Sequence, residues 1–88
     1  MLVGSLGNLK LDDNKTISEV VQNTVGAYLE DMGEEEITDL YALVQKEVEA
    51  PLFSSVLLHT GYNQSKTASI LGLSRGTLRK KLRKYRLL

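Results

Sequence analysis

Apolar positions recur along most of this chain at the three- and four-residue spacing of a helix face. After Thr16, the residues Ile17, Val20, Val21, Val25, Tyr28, Leu29 and Met32 make one broad apolar face. Thr16-Ile17-Ser18-Glu19 has the form of a capping box, so a helix is predicted from there to about Met32, with Gly33 ending it. Gly26, inside that helix, costs about 1 kcal/mol relative to Ala. A second face runs through Ile37, Leu40, Tyr41, Val44 and Val48 and stays in register with Leu52, Val56 and Leu57. It predicts a helix from near Thr38, with Glu34, Glu35 and Glu36 close to its positive end. Pro51 interrupts the backbone bonding but not the pattern, so one helix kinked near Val48 is expected, not two.

The last third, NQSKTASILGLSRGTLRKKLRKYR from Asn63 to Arg86, reads as two short helices joined by a tight turn. Asn63 is placed to cap Ser65 or Lys66, Gly72 to stop the first helix near Leu71, and Ser74 to cap the second. Ala68 is small where the second helix must cross. Leu78, Leu82 and Tyr85 fall at i, i+4, i+7 and are expected to face Ile70, Leu71 and Leu73. Residues 1–15 carry only weak periodicity. Gly7-Asn8 can close a hairpin turn, and a frayed terminus is the other reading. The expected fold is all-α, with four helices after that arm.

Eighty-eight residues make one small domain. A chain of this size buries only about 60–65% of its unfolded surface, and the apolar residues around Pro51 are too many for one small unit to cover. An intertwined homodimer of the first two helices is therefore expected. The expected organisation is an arm over residues 1–15, a helical dimerisation core over 16–60 and a helix-turn-helix over 61–88.

Formal net charge is zero, which alone would argue against a nucleic-acid partner. Its distribution argues the reverse. Residues 1–50 hold all 11 Asp and Glu against three Lys, a net of −8, whereas residues 51–88 hold eight Lys and Arg and no acid, a net of +8. The local field steers a polyanion, and the sum does not. On the last helix Gly76, Thr77, Lys80, Arg83 and Lys84 point away from the apolar stripe, with Arg79 on the flank and Arg75 at the N-terminal tip. Backbone N–H groups and hydroxyls at such a helix start suit phosphate oxygens, and the Arg75 fork matches guanine O6 and N7 in the major groove. Gly76 leaves room for close approach. A solvated face is the plain alternative for a charge run. A membrane-surface helix fits poorly, because its apolar stripe is needed by the preceding helix and Trp or Phe anchors are missing.

DLYALVQKEVEAPL (Asp39 to Leu52) and SRGTLRKKLRKY (Ser74 to Tyr85) together resemble Fis, the factor-for-inversion-stimulation nucleoid proteins of bacteria. The resemblance runs from about Thr16 to the C-terminus. It implies a homodimer in the bacterial cytoplasm and nucleoid that binds and bends double-stranded DNA with loose sequence preference and regulates transcription. It further implies a recombinase met by the N-terminal arm and RNA polymerase as a second partner. Carried over by position, it puts Arg75 and Lys80 near base edges, and Asn63, Ser65, Lys66, Thr77, Arg79, Lys81, Arg83 and Lys84 at or near the DNA backbone, with Ser74 at the same helix start. Two positions depart from the best-known members: Ser74 stands where they have Asn, and Gly61 where they have Arg.

Other classes lack parts. No Cys is present, His59 is a single histidine at a helix end with no carboxylate motif beside it, and no Gly-rich phosphate loop occurs, so neither an enzyme nor a cofactor or metal site is expected. No run approaches the roughly 18 apolar residues of a membrane span. Tyr28, Tyr41 and Phe53 read as packing residues, and Tyr62, beside Gly61, as a flanking candidate for DNA contact. A protein-interaction module is one alternative. Another is the detached output domain of an enhancer-binding regulator, against which stand the initial Met1 and the lack of a linker to an ATPase module.

Overall fold

The computed structural model describes residues 15–33 and 35–88, which form four helices: α1 (Ile17–Met32), α2 (Leu40–His59), α3 (Gln64–Leu71) and α4 (Arg75–Lys84). The hairpin or frayed arm expected of residues 1–15 lies, apart from Lys15, outside the described residues. The chain divides into two compact units, one through Thr38 and the other Asp39–Leu88.

The first unit contains α1, whose start follows directly from four residues. The Glu19 N–H donates to Thr16 Oγ1 at 3.1 Å, and the Thr16 N–H donates to Glu19 Oε1 at 3.2 Å, so two donors that the first turn would leave unpaired are satisfied reciprocally. Gly33 ends the helix at φ 61, a region costly for any residue with a Cβ. None of the α1 residues is fully buried.

In the second unit α2 starts later than its apolar pattern predicts. Asp39 sits at φ 59, ψ 21, the left-handed conformation that Asp tolerates better than most residues, so Ile37 and Thr38 lie before the helix. Glu35 and Glu36 are thereby outside the first turn, which holds no acid. Past Pro51 the helix continues unbroken to His59, as the uninterrupted apolar register predicts. Phe53 and Leu57, which follow the proline, are buried and supply tertiary packing where a backbone bond is missing.

Phe53, Leu57, Ala68, Leu78 and Leu82 form the core, with Leu71, Leu73, Tyr85 and Leu87 packed against it. Ile70 departs from expectation. It is 57% exposed, because Thr67, Ala68 and Leu71 set the inward face of α3 and Ile70 falls to its side. The buried Thr67 is the one polar residue in this core. Its hydroxyl lies 2.7 Å from Thr60 Oγ1, which also lies 3.2 Å from the Leu57 carbonyl oxygen, so nothing polar is left unpaired there.

One closing motif recurs at the ends of α2, α3 and α4. At Gly72, φ 75, its own N–H donates to the Ser69 carbonyl and the next N–H, of Leu73, donates to the Ala68 carbonyl at 2.9 Å. This is the paired closure of a left-handed cap. The same two bonds appear at Gly61–Tyr62 and at Arg86–Leu87, the last with Arg86 at φ 58. The turn at Gly72 sends the chain back across α3, and Ala68, 2% exposed, lets α4 come close.

Leu82 is fully buried at the centre of this packing. Leu82→Ala is expected to destabilise the protein by about 2–5 kcal/mol, against at most about 0.5 kcal/mol for Ile70→Ala on the exposed side. Urea unfolding of both variants at one protein concentration checks the contrast.

Candidate nucleic-acid interface

Six of the ten residues of α4 are Lys or Arg, and the helix has no acid. Leu78 and Leu82 are fully buried against the core, which fixes what the rest of the helix presents. Arg75, Thr77, Arg79, Lys80, Arg83 and Lys84 are exposed, as is Ser74 at the cap. The Ser74 hydroxyl accepts the Thr77 N–H at 3.1 Å and donates to Thr77 Oγ1 at 3.0 Å. The start of α4 is thus held by its own side chains, while Arg75 is free to reach outward. A Cβ built at Gly76 would meet nothing within 4 Å, so this glycine faces open space. From α3, Asn63 accepts the Lys66 N–H at 3.0 Å, and Asn63, Ser65 and Lys66 are exposed.

Among the described residues the only ion pair is Lys81 Nζ with Glu49 Oε1, 3.1 Å. Lys66, Arg75, Arg79, Lys80, Arg83 and Lys84 therefore have no ion-pair partner among the described residues, and they lie on or beside one helix. Arg86, absent from the sequence-derived set, adds an exposed cation just past the end of α4. The field of this surface is that of a cationic stripe, suited to a polyanion. Tyr62 is 61% exposed, in the turn before α3. Among the described residues no group of His, Asp or Glu is gathered as metal ligands would be, and no helix is long and apolar enough to cross a membrane.

Lys81 is placed differently from the other cations. It is half-buried on the inner flank of α4, where Glu49 of α2 also accepts from Tyr85 Oη at 2.7 Å and from Gln45 Nε2 at 3.4 Å. Burial disfavours the Glu49 charge, but the hydrogen bonds from Tyr85, Lys81 and Gln45 and the Lys81 charge outweigh it, leaving the carboxyl below its ordinary value. The Tyr85 phenol is pushed up to about 12, by burial first and then by its hydrogen bond to Glu49 and that carboxylate's charge. The Tyr85 ring packs on Phe53 at 6.2 Å between centroids, and Lys84 Nζ lies 5.5 Å above it. Glu49 was not legible as part of this surface. Its i, i+4 spacing with Gln45 and Phe53, and that of Lys81 with Tyr85, are visible in sequence, but which helix faces which is not.

Compared with known proteins, residues 45–85 match the profile described as bacterial regulatory protein, Fis family. The chain is 45% identical over 71 residues to the DNA-binding protein Fis of Aliivibrio fischeri (strain MJ11), covering 81% of this chain and 72% of that protein. It is 41% identical over 85 residues to the DNA-binding protein Fis of Actinobacillus succinogenes, covering 97% of this chain and 86% of the other. The DNA-binding protein Fis of Vibrio cholerae is 42% identical over 71 residues, 81% of this chain and 72% of its own.

The raised Tyr85 value has a definite consequence. The folded state holds this proton more tightly than the unfolded chain, whose ordinary value is 10.0. The stabilisation is complete below that pH and is lost as pH rises toward about 12. The stability advantage of wild type over Tyr85→Phe at neutral pH is expected to vanish across that interval, measured by denaturant unfolding at stepped alkaline pH.

Proposed function

Because the chain belongs to the Fis family of bacterial regulatory proteins, we propose that it is a homodimeric protein that binds and bends double-stranded DNA, regulates transcription and resides on the nucleoid in the cytoplasm. The observation that carries this reading is the exposed cationic stripe of α4, whose Arg75, Arg79, Lys80, Arg83 and Lys84 have no ion-pair partner among the described residues, with its open N-terminal approach at Gly76. Arg75 and Lys80 read base edges in the major groove. Asn63, Ser65, Lys66, Ser74, Thr77, Arg79, Arg83 and Lys84 hold the backbone, which fixes register without reading sequence. Tyr62 flanks them.

Dimerisation is supported by the uncovered apolar residues of α2. Tyr41 is 79% exposed, and Leu43, Val48 and Leu52 are exposed too, all in or near the half of α2 that the core of its own unit does not reach. A partner subunit packed there, with α1 of both chains, gives the dimerisation core of residues 16–60, leaving residues 61–88 as the helix-turn-helix. The C-terminal half of α2 serves both, since Phe53 and Leu57 are the floor on which α4 rests. Two equivalent α4 helices imply a pseudo-palindromic site with half-sites about 34–36 Å apart on straight DNA. Helices set closer than that require the duplex to bend, so flexible pyrimidine–purine steps and A/T-rich centres gain preference without contact. Residues 1–15 form the arm that meets a site-specific recombinase, with RNA polymerase as the partner in transcription.

Gel shifts on an A/T-centred pseudo-palindrome and a scrambled duplex, with the site at the middle or end of the fragment, test binding and bending together. Preferential binding, steep salt dependence and position-dependent mobility are expected. Weak association blind to sequence and position would instead favour a protein-interaction module. Arg75→Ala should cost about 1–3 kcal/mol on the preferred site alone, whereas Lys84→Ala should lower the salt slope by about one unit per subunit on either duplex. Removing residues 1–15 should abolish stimulation of DNA inversion while leaving DNA binding intact, and inversion unchanged by the deletion would remove the recombinase role.

A further inference from the structure

We infer that Glu49 is a positioning residue for α4: it ties the inner flank of this helix to α2 and withholds Lys81 from DNA phosphate. The inference rests on the DNA-binding reading above and refines which cations serve it. A single carboxylate oxygen, Glu49 Oε1, accepts from both Lys81 Nζ at 3.1 Å and Tyr85 Oη at 2.7 Å. Lys81 and Tyr85 are one turn apart on α4, and Glu49 lies one turn from Gln45 and one from Phe53 on α2, so the polar contact continues the apolar row of Phe53 against Tyr85.

The consequence is selective. Five cations of α4 are exposed and without a carboxylate partner among the described residues, whereas Lys81 is half-buried with its charge already balanced. A lysine held on a fixed carboxylate neutralises no phosphate, so it releases no condensed counterion from DNA and adds nothing to the salt dependence of binding. Glu49 thereby keeps a positive charge on the packing side of the recognition helix without letting it pull that side toward the duplex. The Tyr85 bond makes the arrangement directional, because rotating α4 to present Lys81 outward would break both contacts at once.

The test measures salt slopes for wild type, Glu49→Gln, Lys81→Gln, the double variant and Lys84→Ala, on the A/T-centred and scrambled duplexes. Glu49→Gln is expected to steepen the slope by about one unit per subunit, a further three- to fourfold loss of affinity per subunit between about 50 and 200 mM salt. The change should be equal on both duplexes, since a phosphate contact reads no base. Lys81→Gln alone should leave the slope unchanged, and the double variant should return to it. A wild-type slope for folded Glu49→Gln, or a slope lowered by Lys81→Gln alone, overturns the inference. If Glu49→Gln fails to fold, Lys81→Gln decides alone. Lys84→Ala separates the two readings: a slope that falls with Lys84→Ala but ignores Glu49→Gln removes only the role of Glu49, and absent salt-dependent binding by wild type removes both.

Discussion

Burial of Leu78 and Leu82 is the contact on which the rest of the C-terminal unit depends. A ten-residue helix is too short to persist alone in water. This one also sets like charges one turn apart, Arg75 with Arg79, Arg79 with Arg83, and Lys80 with Lys84, each pair mildly destabilising. Local preference therefore opposes the element that the surface needs. What holds it is the fully buried leucine pair against Phe53, Leu57 and Ala68. The same contact fixes its rotation, and rotation decides which cations face outward.

The ends of the helices are defined by local chemistry to a degree that the middles are not. Thr16 with Glu19, Asn63 with Lys66, and Ser74 with Thr77 are each a side chain answering a backbone donor three residues on. Gly33 and Gly72 stop helices where a residue without Cβ is the least costly choice. These features were legible because cause and effect lie within one turn of chain. The closure at Arg86 was not, since nothing about an arginine announces a left-handed cap, and only the packing of Leu87 against the core accounts for it. The late start of α2 at Asp39 is of the same kind. The apolar register ran on through Ile37, but register says which face would be buried, not whether the backbone has yet entered the helix.

Facing between elements is the other limit. Periodicity placed Leu78, Leu82 and Tyr85 on one stripe correctly, yet assigned Ile70 to the surface opposite, where Thr67 and Ala68 pack instead. A polar Thr at full burial is hard to read from sequence, because its cost disappears only when a second hydroxyl, Thr60, stands within 2.7 Å. The charge count has a similar blind spot. Divided at residue 50, the chain is acidic before and basic after, yet Glu49, the last acid in the sequence, is spatially part of the basic unit.

That exception bears on how a neutral protein presents a cationic surface. Among the described residues the one ion pair that reaches α4 comes from Glu49 of α2. That acid takes up the one lysine of α4 that the burial of Leu78 and Leu82 turns inward. An inward lysine without Glu49 would either leave a half-desolvated charge unpaired, at a cost of order kcal/mol, or turn α4 to bring it to solvent. Because Lys81 and the exposed cations share one helix, the carboxylate that settles Lys81 also bears on how α4 presents Arg75 and Lys80 to solvent. A surface charge pattern is in this sense decided from beneath, by which charges the packing side can absorb.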